Sequence, residues 1–333
     1  MVDFGAYYYP WYDAAQWEHS GFIHTPLLGL YNSSDPKAIV QHIEWSKQHG
    51  INFFAVSWTG KEGPDKTPEK SDQNLSNQLL PNALSSDFKL AILYESTARL
   101  PPDANGSINL DTPGYADRLV GDLKDAAEYF DQPCYMKIDA NGKSKPLVIL
   151  YRARSFIGKV AETIHSVRDA IDDVYLVGDE VYWGGIIKPR LRIGSPKLKD
   201  PERVKLYDGV TPYNMHINNP KILADFENKL NGEYSDWYKT LSAVNVDFIP
   251  NVIPGYDDRK VPNRSNLPLT RGPERFGKQL DVAMKYASMR NIVLITSFNE
   301  WHEDTQIEPA EDYESPTAPL SFLELLDSRR ILL

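Results

Sequence analysis

A chain of 333 residues, 41% of them hydrophobic, can build one large core, and a single barrel commonly takes ~250 residues or more. The formal charge of −10 and a pI near 5.3 argue against a nucleic-acid partner, because phosphate binding needs basic surface. The single cysteine, Cys134, precludes an intrachain disulfide and most cysteine-based metal sites. No stretch approaches the ~18 apolar residues of a membrane span. Asp3 interrupts the apolar start, so no secretion signal precedes the first strand. The chain as given is therefore expected in the cytoplasm, or outside the cell if a leader has been removed.

Phe4 to Tyr9 reads as a first strand running into Tyr7-Tyr8-Tyr9-Pro10-Trp11-Tyr12. Asp35 can cap a helix, with Pro36 at its first position and Gly50 closing it. Ile51 to Trp58 is a second strand, followed by a loop of Lys, Gly and Pro and a weaker helix around Leu75 to Leu84. Lys89 to Glu95 is the third strand. Leu119, Leu123, Ala126 and Phe130 mark a helix seam. Asp139-Ala140-Asn141-Gly142 signals a hairpin turn before a fourth strand, Pro146 to Tyr151. Val160, Ile164, Val167 and Ile171 define the next helix, and Val174 to Gly178 the fifth strand. The stretch from Gly184 to Tyr207 carries no clear period. Gly209 to Tyr213, Phe248 to Ile253 and Ile292 to Ile295 complete the strands. Helices are expected after Asn219, through Phe276 to Ala287, and near Phe322 to Leu326.

Strands alternating with helices in eight units predict an α/β protein, one (β/α)8 TIM barrel covering residues 1–333 as a single catalytic domain. An open doubly wound sheet is the alternative, but the Gly-x-Gly-x-x-Gly fingerprint that often accompanies it is missing.

In such a barrel the C-terminal strand ends converge on one rim. They supply Tyr8, Tyr9 and Trp11; Trp58; Glu95; Asp179 and Glu180; Tyr213 and His216; Tyr256 and Asp257; and Asn299, Glu300 and Glu303. Aromatics and carboxylates dominate, with no Ser-His pairing. That mixture suits a sugar, whose C–H faces stack on aromatic rings and whose hydroxyls pair with carboxylates. Glycosidic cleavage needs one carboxyl to protonate the leaving oxygen and a second to assist at the sugar, and Glu300 and Glu303 can form that pair. Tyr8, Tyr9, Trp11, Trp58, Glu95, Tyr213, Tyr256, Asn299 and His302 are the candidate substrate contacts. Histidine His302 lacks a His-Glu-x-x-His setting or a clustered second histidine, so neither a metal nor another cofactor is expected.

Thr296-Ser297-Phe298-Asn299-Glu300-Trp301-His302-Glu303, followed by Thr305-Gln306-Ile307-Glu308, resembles the signature of glycoside hydrolase family 99. Tyr8-Tyr9-Pro10-Trp11-Tyr12, Gly29 to Pro36, Ser57-Trp58, Asp208-Gly209-Val210 and Pro254-Gly255-Tyr256 fall in the family's order. The resemblance implies a (β/α)8 barrel, endo-action on α-1,2-mannosidic chains with retention, and no metal. It also implies that Glu300 removes the proton of the sugar's 2-hydroxyl, which attacks the anomeric carbon to give a 1,2-anhydro sugar, while Glu303 acts as acid and then base. By the same carry-over Trp58, Glu95, Tyr213 and one of Tyr8 or Tyr9 bind the sugar before the cut. Two positions depart from the family pattern. Asp304 stands where Gly is usual, and Leu93-Tyr94-Glu95-Ser96 where Ile-Glu-Pro is usual. The alternatives are a polysaccharide-assembly or carbohydrate-binding barrel, or a hydrolase of another α-linked glycan.

Overall fold

The computed structural model describes residues 2–19, 21–61, 66–183, 201–288, 290–311 and 320–330. Its main sheet runs through β1 (Asp3–Tyr8), β2 (Ile51–Trp58), β3 (Lys89–Tyr94), β4 (Lys143–Leu150), β5 (Tyr175–Asp179), β6 (Gly209–Thr211), β7 (Asp247–Phe248 continued by Asn251–Val252) and β8 (Ile292–Ile295). Neighbours pair in parallel from β1 to β6, and β1 also pairs with β8, Asp3 lying opposite Ile292.

Closure depends on β7. Its first piece pairs with β6, Phe248 opposite Val210, and its second with β8, Val252 opposite Ile295. Between the pieces Ile249 donates to the Val210 carbonyl (2.9 Å) and Pro250 accepts from Leu294 (2.9 Å). Proline has no N–H to give, so it breaks the strand without breaking the ring. With its two pieces taken as one stave, the sheet is the eight-staved barrel that the alternation of strands and helices predicts.

The helices form where local chemistry starts and stops them. Helix Pro36–Gln48 begins with Asp35 accepting from the Lys37 N–H (2.9 Å) and with proline in its first turn. Gly50 follows with φ +82°, a left-handed conformation that favours glycine. Helices Tyr115–Ala126, Val160–Ala170, Phe226–Ser242 and Pro273–Tyr286 bury Leu119, Ile164, Leu230 and Leu280 against the sheet. The second crossover differs from expectation, because its helix begins at Lys66, well before Leu75, and passes through a wide turn at Leu75–Leu79. The expected hairpin turn is present: Asn141 and Gly142 both have positive φ, and Lys137–Ala140 pairs antiparallel with β4, extending that strand back to Lys143. Most of the unassigned stretch from Gly184 to Tyr207 lies outside the described residues. Among those described, no helix is long and apolar enough to cross a membrane.

Side chains alternate across each strand, so odd positions of β1 and β2 enter the barrel while even ones face the helices. Phe53 fills the lower interior so closely that a Cβ at Gly5 would lie 2.2 Å from its ring. The interior is thus packed at its base, and the cavity opens at the strands' C-terminal ends.

Candidate active site

A pocket of about 370 Å³ lies at that end, within the ~300–1,000 Å³ range of small-molecule sites. Tyr9 from the end of β1 and Trp11 just beyond it form one wall, their rings 4.6 Å apart. Glu95 and Thr97 follow β3, Tyr151 follows β4 and Tyr213 follows β6. Glu300, His302 and Glu303 follow β8, Gln16 belongs to the short helix Ala14–His19, and Val261 and Arg264 come from a loop. Residues nearly three hundred positions apart are thereby brought together by closure of the ring.

The segment after β8 is fixed by side chains before it meets any ligand. Asn299 accepts from the Tyr9 N–H (2.7 Å) and donates to the Tyr9 carbonyl (3.1 Å), locking the end of β8 to the end of β1. Glu308, fully buried, accepts from Tyr31 Oη (2.8 Å) and Trp301 Nε1 (2.9 Å) and lies 3.0 Å from His42 Nε2. Ser297 Oγ accepts from the Glu300 N–H (2.7 Å), and Tyr12 Oη accepts from that of Trp301 (3.0 Å). These bonds remove the freedom that a charged loop otherwise has, so the two acids are held by a buried framework.

The acids differ in their surroundings. Glu300 Oε1 accepts from the His302 N–H (3.0 Å), with His302 Nδ1 at 2.9 Å and Tyr12 Oη at 3.4 Å. The His302 ring is itself stacked on Tyr12, 5.6 Å between centroids. Glu303 Oε1 is 3.3 Å from Arg264 Nη1, and its Oε2 is 3.5 Å from Tyr213 Oη. Burial, reinforced by the Glu300 charge and opposed by Arg264, pushes the Glu303 carboxyl up to about 7. Burial also pushes Glu95 up to about 7; a hydrogen bond from Ser57 Oγ (2.8 Å) opposes this, and the charges of Glu300 and Glu303 add to it. The pocket therefore holds an acid able to carry a proton near neutrality beside a carboxylate surrounded by donors. That is the division of labour acid–base chemistry at a sugar requires.

Of the residues expected at the site, Tyr9, Trp11, Glu95, Tyr213, Glu300, His302 and Glu303 line this one pocket. Four others are placed differently. Tyr8 faces the helix layer, where its ring stacks on Phe54 (4.6 Å) and its hydroxyl meets His42 Nδ1 (3.1 Å). Trp58 likewise faces outward, fully buried, with Nε1 donating to Asp72 (2.8 Å). Both corrections have one cause. A strand's pleat sends adjacent residues to opposite faces, and Tyr9 and Ser57 occupy the inward positions. Asn299 is spent on the β1 backbone, and Tyr256 stacks on His216 (3.9 Å) and donates to Asp258 (2.9 Å), next to the pocket wall.

Asp179, Glu180 and Asp257 lie at strand ends too, but each is paired with arginine: Arg154, Arg203 and Arg259 respectively. The residues missed from the sequence are Ser57, Tyr151, Gln16, Thr97 and Arg264. Tyr151 ends the expected fourth strand and was within reach of the same reasoning, whereas Arg264 sits in a loop with no period to place it. Among the described residues no group of three His, Cys, Asp or Glu side chains is arranged to hold a metal ion.

Fold and site together define a (β/α)8 barrel with an aromatic rim pocket built around paired carboxylates. The model of glycosyl hydrolase family 99 matches residues 228–327. It is similar to the human glycoprotein endo-alpha-1,2-mannosidase-like protein, 26% identical over 310 residues, covering 88% of this chain and 58% of the relative. Its similarity to the Rattus norvegicus glycoprotein endo-alpha-1,2-mannosidase is 26% over 305 residues, covering 86% and 56%. The chain thus spans less than two thirds of the length of these curated relatives. Among solved structures the barrel is similar to a glycoside hydrolase-like protein (TM-score 0.75, 20% identity, 98% and 93% of the two chains). It also resembles the family 99 endo-alpha-mannosidase of Bacteroides thetaiotaomicron in complex with bis-tris-propane (TM-score 0.72, 21% identity, 100% and 98%).

Proposed function

We propose that the protein is an endo-acting glycoside hydrolase that cuts α-mannosidic bonds within oligosaccharides, α-1,2 linkages first among them, the whole barrel serving as one catalytic unit. The observation that carries this reading is the shared pocket of Glu300 and Glu303, with Glu303 raised to about 7. The named relatives, two of them endo-alpha-1,2-mannosidases or like proteins, support the linkage.

In this reading Glu300 takes the proton of the 2-hydroxyl and the freed oxygen attacks the anomeric carbon. The glycosidic bond breaks as Glu303 gives its proton to the leaving oxygen. The product of this step is a 1,2-anhydro sugar, and Glu300 is left protonated and Glu303 ionised. Water then attacks the anomeric carbon, Glu303 takes its proton, and Glu300 returns a proton to the 2-oxygen. Two inversions give net retention. Because the nucleophile belongs to the sugar, the ~5 Å carboxylate spacing of retaining enzymes with a protein nucleophile does not constrain the pair. Trp11, Tyr9, Tyr151 and Tyr213 supply faces for the sugar C–H bonds, and Glu95 a partner for hydroxyls.

Incubation with α-1,2-linked manno-oligosaccharides tests the reading. Release of an oligosaccharide rather than single mannose units supports endo-action. Binding without products would assign the pocket to recognition instead, and cleavage confined to another α-linkage would change the substrate.

A further inference from the structure

The loop that follows β7 is tied down at several points. Tyr256 and Leu269 exchange backbone hydrogen bonds (3.0 and 2.8 Å), Asn266 Nδ2 donates to Asp258 (2.7 Å), and His216 Nε2 lies 2.7 Å from the Leu267 carbonyl. From this fastened loop Arg264 reaches back over the acid. Its Nη1 is 3.3 Å from Glu303 Oε1 and 3.6 Å from Asp258 Oδ2, and its side chain is 45% exposed. A general acid must touch the glycosidic oxygen, so the leaving-group sugar has to lie against Glu303, where Arg264 also lines the pocket.

Resting on the reading of Glu303 as the acid, we propose that Arg264 is a positioning residue. It holds the Glu303 carboxylate in the free protein and releases it when the hydroxyls of a leaving-group sugar take over the guanidinium's hydrogen bonds. Protonation of the acid then follows occupancy of the site. A guanidinium at hydrogen-bond distance favours the charged carboxylate, and an exposed one loses little by exchanging it for sugar hydroxyls.

The groups facing Glu303 from the other elements act in the opposite sense or stay neutral. Glu300, Glu95 and Asp258 disfavour its charge. The phenols of Tyr9, Tyr151, Tyr213 and Tyr256 are pushed upward by burial and remain protonated across the working range. His302 is held on the far side by Glu300. Arg264 is the cation set directly against the acid among the described residues.

The test is a carbon-13 NMR titration of glutamate carboxyls, with the Glu303 resonance identified by its loss in Glu303→Gln. In Arg264→Gln the Glu303 midpoint is expected to rise by about one pH unit, and Arg264→Lys should restore most of the difference. An unmoved midpoint in a variant with parental thermal unfolding overturns the proposal. Release on occupancy is read in the parent protein as an alkaline limb of kcat about one pH unit above that of kcat/KM, a gap that Arg264→Gln closes. An equal gap in both proteins refutes release. Should the protein prove inert, the hydrolase reading fails by itself, and the same titration with α-1,2-mannotetraose added still decides whether a bound sugar lifts the midpoint in the parent and not in Arg264→Gln.

Discussion

Two strand ends of this barrel carry neighbouring acids, and they are used differently. At the end of β5, Asp179 pairs with Arg154 and accepts from the backbone N–H groups of Arg152 (2.9 Å) and Tyr213 (3.0 Å). Glu180 takes the Arg203 Nε–H at 2.9 Å from each oxygen, and Arg203 spends its remaining nitrogens on the carbonyls of Phe156 (3.1 Å) and Ala153 (2.6 Å). Burial still pushes the Glu180 carboxyl upward against that arginine. Beyond β8, Glu300 and Glu303 share a pocket with Glu95, and the arginine beside them is half exposed and reaches Glu303 from a loop. The same local signal, acids at the end of an apolar strand, is a closed ion-pair network in one place and the lining of an open pocket in the other. What decides between them is the arginine delivered by a distant element.

The sharpest way to break that comparison is to neutralise one acid at each end. Glu303→Gln and Glu300→Gln are each expected to lower turnover of α-mannosides by ~10²–10⁴-fold, with oligosaccharide affinity within a few-fold in a binding titration. Glu180→Gln should leave kcat near the parent's and lower the melting temperature. If Glu180→Gln removed turnover and Glu303→Gln did not, the two regions would have been assigned the wrong way round.

Removing the arginines gives the next largest difference. Arg203→Met leaves a buried charge unpaired, a loss of roughly 3–5 kcal/mol in denaturant unfolding. Arg264→Met, at a half-exposed pair, should cost about 0–1 kcal/mol. Equal losses would mean that Arg264 is as structural as Arg203.

The pH dependence separates the pocket from the network. In the proposed role Glu303 must carry its proton, and burial pushes it up to about 7, so kcat/KM should fall as pH rises through that value. Glu95 has a folded-state value raised above the unfolded one. Its contribution to stability is therefore present below the usual carboxylate range and lost as pH rises through about 7. Glu95→Gln should accordingly raise stability at pH 8 by roughly 1–3 kcal/mol relative to its effect at pH 4. A variant equally stable relative to the parent at both pH values would contradict the raised carboxyl.

The smallest expected effect falls on β1. Tyr8→Phe gives up the His42 contact, costs roughly 1 kcal/mol, and should leave kcat/KM nearly unchanged, whereas Tyr9→Phe alters the pocket wall and the 2.6 Å bond to Tyr213 and should lower it. Equal losses of activity would put Tyr8 back among the substrate contacts.

The pattern of success and failure in reading the chain has the same physical root. Apolar runs ended by Gly, Pro and Asn located the strands and helices, and Asn141-Gly142 announced its turn, because those signals are local. The acids of the late segment were legible because Asn299, Glu300, Trp301, His302 and Glu303 together resemble a family signature, which Asp179 and Glu180 at the end of β5 do not. Trp58 is the expected contact and Ser57 the inward residue, because composition says nothing about which face of the pleat a strand's last residue takes. Arg203 and Arg264 were out of reach, since each meets its carboxylate through folding of a distant segment. The break at Pro250 was unreadable as well, for the strand it interrupts is completed by hydrogen bonds from both neighbours.

The measurement that bears most directly on Glu300 and Glu303 as a working pair is proton NMR of the first-formed product from an α-1,2-linked manno-oligosaccharide, run beside its 2-deoxy counterpart. The α anomer is expected to appear first, and the 2-deoxy compound to be inert. A β anomer appearing first, or cleavage of the 2-deoxy compound at a comparable rate, would contradict that pairing.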